Sequence, residues 1–159
     1  MKLERTRNME IVREILAHKS IWPHIHEDGT TEPTPTDHDA LYWMLVLQDD
    51  NPAGVFLVHG RNAQCVEMHT CLLPCIWGSD ANKAVRLLGD FIFYELGHKK
   101  VVTNVPAYNR RALRFAQANG MQIEGVNRAS FLRNGQMIDQ IELGITIGEW
   151  ESCQQQFQQ

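Results

Sequence analysis

A glutamate and a histidine stand two residues apart in the stretch 64–73, which we predict to be a central β-strand closed by Pro74. Residues two apart on a strand face the same side, so Glu67 and His69 share a face. A neutral imidazole near its intrinsic pKa can remove a proton from an amine, directly or through water. Glu67 offers a second base or an ion-pair partner. His69 is equally compatible with a partly buried ring that only hydrogen-bonds, and this alternative stays open.

Two other groups contain metal-ligating residue types. The segment 24–28 (HIHED) has the HxH spacing of a ligand pair, but it lies in a predicted helix or loop that fixes no third ligand, and a solvated polar turn is the favoured interpretation. Cys71 and Cys75, taken with His69, span a strand and a turn and do not bring four ligands together. We therefore predict no metal site. The chain also lacks the GxSxG and Ser-His-Asp patterns of nucleophilic hydrolases.

The bulk composition excludes several classes of protein. The 159 residues carry a formal net charge of −4, which disfavours a nucleic-acid partner. Arg110, Arg111 and Arg114 fit the solvated face of a short helix. No signal peptide and no apolar run of about 20 residues is present, so we expect no membrane partner. Four cysteines without CxxC spacing are typical of reduced thiols in a cytoplasmic protein.

The elements that must position these side chains follow from hydrophobic periodicity and turn residues. We predict strands at 2–6, 41–47, 53–59, 64–73, 100–104, 122–133 and 136–147, helices at 9–16, within 18–28, at 81–96 and between Asn109 and Gly120, and an exposed loop at 29–39. Asn8 and Asn109 are predicted N-caps of the helices that follow them, and Asn134-Gly135 is a strong hairpin signal. The order indicates a mixed α/β fold. We expect one domain over 1–151 and a frayed, glutamine-rich tail over 152–159.

The stretch 101–125 reads as a strand, a turn, a helix, a glycine stop and a second strand. Its sequence resembles the second half of the GNAT N-acyltransferases, with an N-x-x-A motif, a glycine and then a strand that contains E-G. The matching residues are Asn109, Ala112, Gly120, Met121, Glu124 and Gly125. Within that superfamily the chain is similar to the acetyltransferases of ribosomal-protein N-termini, through a late pattern of Glu124, Gly125, Arg128, Gly135, Asp139, Glu149 and Trp150. It also resembles small GNAT-like proteins encoded by bacteriophages.

The resemblance covers nearly the whole chain and implies the GNAT fold, a mixed, mostly antiparallel sheet flanked by helices and opened between its central strands. It further implies acetyl-CoA as co-substrate, with Asn109 and its helix alongside the pantetheine arm and with backbone groups of the central strand contacting the pantetheine amides. The pyrophosphate would lie on backbone N–H groups at the start of the long helix. The implied cofactor-binding residues are Cys71, Leu72, Leu73, Gly78, Ser79, Asp80, Ala81, Asn82, Lys83, Asn109 and Ala112.

Three positions depart from the family pattern. Cys75 replaces the usual basic or amide residue of the phosphate loop. Asp80 replaces its second small residue: either its carboxylate caps the helix and weakens the cofactor site, or it turns outward and leaves the N–H groups free, with Lys83 offsetting the charge. Ala116 stands where many members have a tyrosine that protonates the leaving thiolate, and Tyr108 precedes the helix.

The resemblance implies direct transfer of an acetyl group from acetyl-CoA to an amine, either a protein N-terminus or a small amine, with His69 or Glu67 assisting proton removal. The acceptor groove would be lined by the early helices, the loop 29–39 and the final hairpin. The alternative is a GNAT-fold protein that has lost catalysis and serves as a binding or assembly module, of the kind that phages encode. The sequence leaves the oligomeric state open, and a dimer is compatible with it.

Overall fold

The computed structural model describes residues 1–156, and a seven-stranded sheet with helices on both faces forms its centre. In chain order the elements are β1 (Lys2–Arg5), α1 (Met9–Leu16), α2 (Trp22–Ile25), β2 (Leu41–Gln48), β3 (Asn51–Gly60), β4 (Cys65–Leu72), α3 (Ser79–Asp90), β5 (Lys100–Pro106), α4 (Arg110–Ala118), β6 (Gln122–Arg133), β7 (Gln136–Thr146) and α5 (Ile147–Gln156). The strand order is β1-β2-β3-β4-β5-β7-β6, and β4 and β5 are the parallel pair. The predicted fold class is confirmed.

Short polar residues set the local boundaries, as the sequence predicts. The Asn8 side chain accepts hydrogen bonds from the first backbone N–H groups of α1, and the Asn109 side chain accepts one from Ala112 at the start of α4. The hairpin between β6 and β7 turns at Asn134 and Gly135, whose φ angles are 52° and 73°. Positive φ at both central residues is the requirement of a type I′ turn, which Asn-Gly meets at low steric cost.

The sheet is covered on both faces because its central strands are apolar on both sides. One face packs against α3, α4 and α5 through a core that includes Phe56, Leu88, Ile92 and Leu143. The other face packs against α1 through a smaller core that includes Val12, Ile15, Trp43 and Cys71. Burial on both faces explains the nearly continuous apolar run in β2.

The C-terminal region differs from its predicted form. The last strand ends at Thr146, and α5 includes residues 152–156 of the stretch predicted to fray, while residues 157–159 of that stretch lie outside the described part of the chain. Trp150 anchors this helix: it is 4% exposed and its indole Nε1 donates to Asp90 Oδ1 at 3.2 Å. One deeply buried aromatic side chain, with Ile147 packed against the same core, therefore holds a helix whose sequence is mostly polar.

The long helix also has an irregular end. After α3 the chain continues through a π-helical segment, Phe91–Glu95, before the turn at Gly97, where the regular helix was predicted to reach residue 96. Among the helices described between residues 1 and 156, none has the length and apolarity to cross a membrane.

Candidate functional site

The sheet opens between β4 and β5. The two strands pair over three positions only, Cys65–Lys100, Val66–Val101 and Glu67–Val102, and then separate. Farther along β4, the ladder to β3 continues to Leu72, so β4 keeps one hydrogen-bonded side and exposes the other. The predicted opening of the sheet between its central strands is present.

The direction of the β4 backbone groups follows from the antiparallel alternation with β3. The Leu73 N–H donates to the Ala53 carbonyl at 2.9 Å, so every second residue from Leu73 back along the strand, including Cys71, turns its backbone groups toward β3. The groups of Thr70 and Leu72 therefore face the opening. This corrects the sequence prediction: of Cys71, Leu72 and Leu73, only Leu72 presents its backbone to the gap, and Thr70, which was missed, joins it. The strand register, which decides this, is not visible in the sequence.

Two adjoining cavities follow the opening. The first, of about 480 Å³, is lined by both separated strands and by α4, and its lining includes His69, Thr70, Asn104, Asn109, Ala112 and Ala116. The second, of about 280 Å³, is lined by Leu72, Trp77, Gly78 and Ala81 and shares Asn109, Ala112 and Phe115 with the first. The strand gap, the start of α3 and one face of α4 thus border two cavities that share lining residues.

The start of α3 is open to a ligand. Gly78 is the N-cap with φ +87°, a conformation that favours glycine, and no side chain caps the helix. The Asp80 carboxylate instead pairs with Lys83 Nζ at 2.8 Å. The interpretation in which Asp80 caps α3 is therefore wrong, and the outward-turned alternative describes the side chain. The N–H groups of Ser79, Asp80 and Ala81 belong to the first helical turn, which has no intrahelical acceptors.

Asn82 and Trp77 lie on either side of this helix start. The Asn82 N–H donates to the Gly78 carbonyl at 3.4 Å, so it is already engaged within the helix, contrary to the prediction that it stays free. Trp77, just before the helix, donates its indole N–H to the Leu72 carbonyl at 3.0 Å, and the Arg111 guanidinium lies 4.1 Å from its ring centroid. Trp77 was not predicted as a site residue, because only the fold brings it back onto β4.

The N-terminal half of α4 lies beside the gap. Asn109 Oδ1 accepts from the Ala112 N–H at 3.2 Å, so this side chain fixes the start of the helix as well as lining both cavities. Ala116 lines the first cavity and carries no proton donor. Tyr108 does not replace it, since its hydroxyl donates to the His24 carbonyl at 3.2 Å on the side of α2.

Glu67 and His69 do face the same side of β4, and the fold adds His59 from the neighbouring strand. His59 lies directly opposite Glu67 in the β3–β4 register. His69 Nε2 is 3.4 Å from Glu67 Oε1 and 3.4 Å from His59 Nε2. Burial lowers the pKa of the His69 ring, Glu67 partly opposes this by raising it, and His59 lowers it further, so the net pKa lies below the usual value. A lowered pKa favours the neutral ring near pH 7, and a neutral imidazole has one basic nitrogen.

Glu67 is held by two donors from different parts of the chain. Arg61 Nε donates to its Oε2 at 3.0 Å and Asn104 Nδ2 donates to its Oε1 at 3.3 Å, while Arg61 Nη1 also reaches Glu142 Oε1 at 2.7 Å. The Glu67 side chain is 12% exposed. Asn104 was missed by sequence reasoning, although its Oδ1 is buried without a hydrogen-bond partner beside the first cavity.

A mixed sheet split between two parallel strands, with an uncapped helix beginning beside the split, is the architecture of the GNAT acyltransferases. The chain belongs to this family: the model of the acetyltransferase (GNAT) domain matches residues 5–122.

Solved structures agree with this assignment at the level of the fold. A GCN5-related N-acetyltransferase from Brucella melitensis superposes with a TM-score of 0.80 at 17% identity, covering 98% of this chain and 80% of that one. A mutant form of spermidine N-acetyltransferase SpeG from Vibrio cholerae gives 0.79 at 16% identity, covering 97% and 99%. A probable GNAT-family acetyltransferase from Chromobacterium violaceum gives 0.75 at 21% identity, covering 94% and 88%. A search of curated protein sequences finds no match.

Proposed function

We propose that this protein transfers an acetyl group from acetyl-CoA directly to an amine, either a small amine or a protein N-terminus. The observation that carries the proposal is the split between β4 and β5, where the backbone of Thr70 and Leu72 faces the gap and Thr70 lines both adjoining cavities, the first of which His69 also lines. Backbone N–H and C=O groups on one exposed strand side suit the amides of an extended pantetheine arm.

The start of α3 supports the same ligand. Its first N–H groups meet no capping side chain, and the glycine before them has nothing within 4 Å of the position a Cβ would take. Backbone N–H groups at a helix N-terminus bind phosphate oxygens, so the residues present fit a pyrophosphate. Gly78, Ser79, Asp80 and Ala81 would hold it, and Lys83 neutralises the Asp80 carboxylate.

The chain's own residues are assigned one step of the reaction, the removal of a proton from the amine. The amine nitrogen bonds to the thioester carbonyl carbon, the C–S bond breaks with its electron pair on sulfur, and overall one proton moves from nitrogen to sulfur. His69 takes the nitrogen's proton, directly or through water, because its neutral ring lines the cavity and Glu67 stabilises the charge it gains. Since Ala116 carries no donor, we assign the proton on sulfur to solvent.

Direct transfer is favoured over an acetylated cysteine intermediate. Cys71 is the cysteine that lines the cavities, and burial raises the pKa of its thiol to about 12. A protonated thiol is a poor nucleophile. All four cysteines are unpaired, which supports a reducing compartment, and we propose the cytoplasm.

The first test is calorimetric titration with CoA, desulfo-CoA and acetyl-CoA, followed by thiol-release assays. Spermidine is one amine probe, because a structural neighbour is named a spermidine N-acetyltransferase, and a peptide with a free N-terminus is the other. We expect His69→Gln to lower kcat/KM by about 10²- to 10⁴-fold, the usual contribution of a general base, with CoA affinity unchanged. His18→Gln, which removes an imidazole bonded to Ser20, is the matched control.

The second candidate is a non-catalytic GNAT-fold binding protein, such as a phage assembly module. The observation that favours it is that Ala116, which lines the first cavity, carries no proton donor. Absence of both heat and thermal shift with millimolar CoA would replace the enzyme proposal with this one. Binding of CoA without thiol release from either amine probe would redirect the search to the acceptor.

A further inference from the structure

Three ligand atoms converge on the face of the sheet beside the gap. Glu67 and His69 are two apart on β4 and His59 is the cross-strand neighbour of Glu67, so all three side chains project from the same face of two paired strands. One ligand atom from each of the three lies within 4.8 Å of the other two. The backbone beneath them is a regular antiparallel ladder, which fixes their origins more firmly than a loop does.

Two of the three separations match metal coordination. A tetrahedral zinc ion with ligand distances of about 2.0–2.1 Å places its ligand atoms about 3.3–3.4 Å apart. His69 Nε2 is 3.4 Å from Glu67 Oε1 and 3.4 Å from His59 Nε2. A single proton on His69 Nε2 can be donated to only one of these two neighbours at a time. A cation between the three atoms satisfies all of them.

The surrounding charges favour a cation. Arg61 contributes one positive charge and bonds to both Glu67 and Glu142, so these three groups carry a formal net charge of −1. Arg61 and Asn104 bond to the two oxygens of Glu67 and hold the carboxylate in place. Outer hydrogen bonds of this kind orient metal-ligating side chains. The His69 side chain is 41% exposed, so an ion can reach the group from solvent.

We propose that His59, Glu67 and His69 form a binding site for a divalent transition-metal ion, with Zn²⁺ as the preferred ion, and that its occupancy suppresses acetyl transfer. Two imidazoles and one carboxylate are a ligand set that zinc proteins use with a fourth position left open. Suppression rests on the proposed role of His69 as proton acceptor. A neutral imidazole has one basic lone pair, and a ring that gives it to a metal has none left for the amine.

Binding is tested first, without acetyl-CoA, so that it can be judged even if no acetyl transfer is found. Zn²⁺ is titrated calorimetrically into the protein after treatment with a chelator, and Co²⁺ is titrated while its visible absorption is recorded. We expect one ion per chain and a Co²⁺ spectrum without thiolate charge-transfer bands. His59→Gln should weaken binding by more than the roughly 10- to 100-fold lost with an outer partner, and Asn104→Ala should fall in that range.

Matched controls separate this site from adventitious histidine or cysteine binding. His38→Gln removes an exposed imidazole in the loop before β2, and Cys75→Ser removes an exposed thiol; neither should change the Zn²⁺ isotherm. An isotherm that survives His59→Gln or Glu67→Gln, or the absence of binding to the unmodified protein, overturns the site.

Suppression is tested by initial rates in Zn²⁺ buffers. The unmodified protein should lose activity as Zn²⁺ rises and recover it with a chelator. His59→Gln keeps His69 but loses one ligand, so, measured against its own rate without zinc, it should lose much less activity over the same Zn²⁺ range. Undiminished rates in protein shown by calorimetry to hold zinc overturn the suppression.

Discussion

Asp80 illustrates how much one side chain's rotamer matters in the proposed phosphate-binding loop. A carboxylate in the first turn of a helix interacts favourably with the helix dipole, typically by about 0.3–1 kcal/mol. The same charge repels an incoming pyrophosphate. In this structure Lys83 draws the carboxylate sideways at 2.8 Å, and the first N–H groups of α3 stay uncovered.

We therefore predict that Asp80→Asn tightens CoA binding by about 2- to 5-fold, which corresponds to the dipole-scale energy of about 0.3–1 kcal/mol, while slightly lowering the melting temperature. Calorimetry with CoA measures the first effect. Pantetheine, which lacks the phosphates, is the control ligand, and its affinity should not change. Weaker CoA binding by the variant would show that Asp80 supports the site rather than opposing it.

Single residues also mark where sequence reasoning succeeds and where it stops. Asn8, Asn109 and the Asn134-Gly135 pair act through local backbone chemistry, so the sequence predicts their capping and turn roles correctly. His59 could not be linked to His69, since they are ten residues apart and only the β3–β4 register brings them together. Whether Asp80 caps the helix or pairs with Lys83 depends on a rotamer, which spacing does not fix.

At the level of elements, the docking of α5 on α3 is the feature most open to test. A Cβ placed on Gly89 would lie 2.3 Å from the Trp150 ring, whereas one placed on Gly148 would have nothing within 4 Å. Both glycines are helical, and alanine has the higher helix propensity by about 1 kcal/mol. Alanine substitutions at the two positions therefore separate the effect of helix propensity from the effect of packing against Trp150.

We predict that Gly89→Ala destabilises the protein by about 1–3 kcal/mol through overpacking, and that Gly148→Ala is neutral or stabilising by up to about 1 kcal/mol. Urea unfolding monitored by tryptophan fluorescence measures both. Equal effects at the two positions would mean that Trp150 does not hold α5 against α3 as described.

Elements differ in how far their existence can be inferred from sequence. The strands and α3 have long apolar patterns and were predicted with small boundary errors. The helix α5 was missed because its residues from Ser152 onward are mostly glutamine, and its stability depends on Trp150 packing against Gly89 of α3. Tertiary packing of this kind overrides weak local preference.

Across the whole molecule, an early segment is tied to the late hairpin. The Asp28 carboxylate accepts from the N–H groups of Asn134 at 3.0 Å and Gly135 at 2.7 Å, and Arg133 donates to the His26 carbonyl at 2.8 Å. Residues 24, 25 and 27 of this early segment line the first cavity. These hydrogen bonds therefore fix the segment that forms one wall of the first cavity, on the proposed acceptor side. They join positions more than 100 residues apart in sequence.

The two backbone hydrogen bonds lower the pKa of the Asp28 carboxyl. A lowered folded-state pKa means that the carboxylate stabilises the fold above its unfolded pKa of about 3.9, and that this contribution is lost as the pH falls through the folded value.

We predict that Asp28→Asn melts below the unmodified protein by a constant margin at neutral pH, and that the margin shrinks below about pH 4. Thermal melts across pH measure this. Asp50→Asn, which breaks an exposed pair with Lys2, is the control. A margin that does not depend on pH would contradict the assignment.

The brief pairing of β4 with β5 gives this sheet two internal edges in addition to its outer ones. Amide protons of Thr70 and Leu72 should therefore exchange with deuterated solvent on the timescale of an edge strand, although their strand is the fourth of seven. A ligand seated in the gap would slow that exchange without touching the outer edges. Deuterium uptake at the centre of the sheet thus becomes a label-free measure of occupancy.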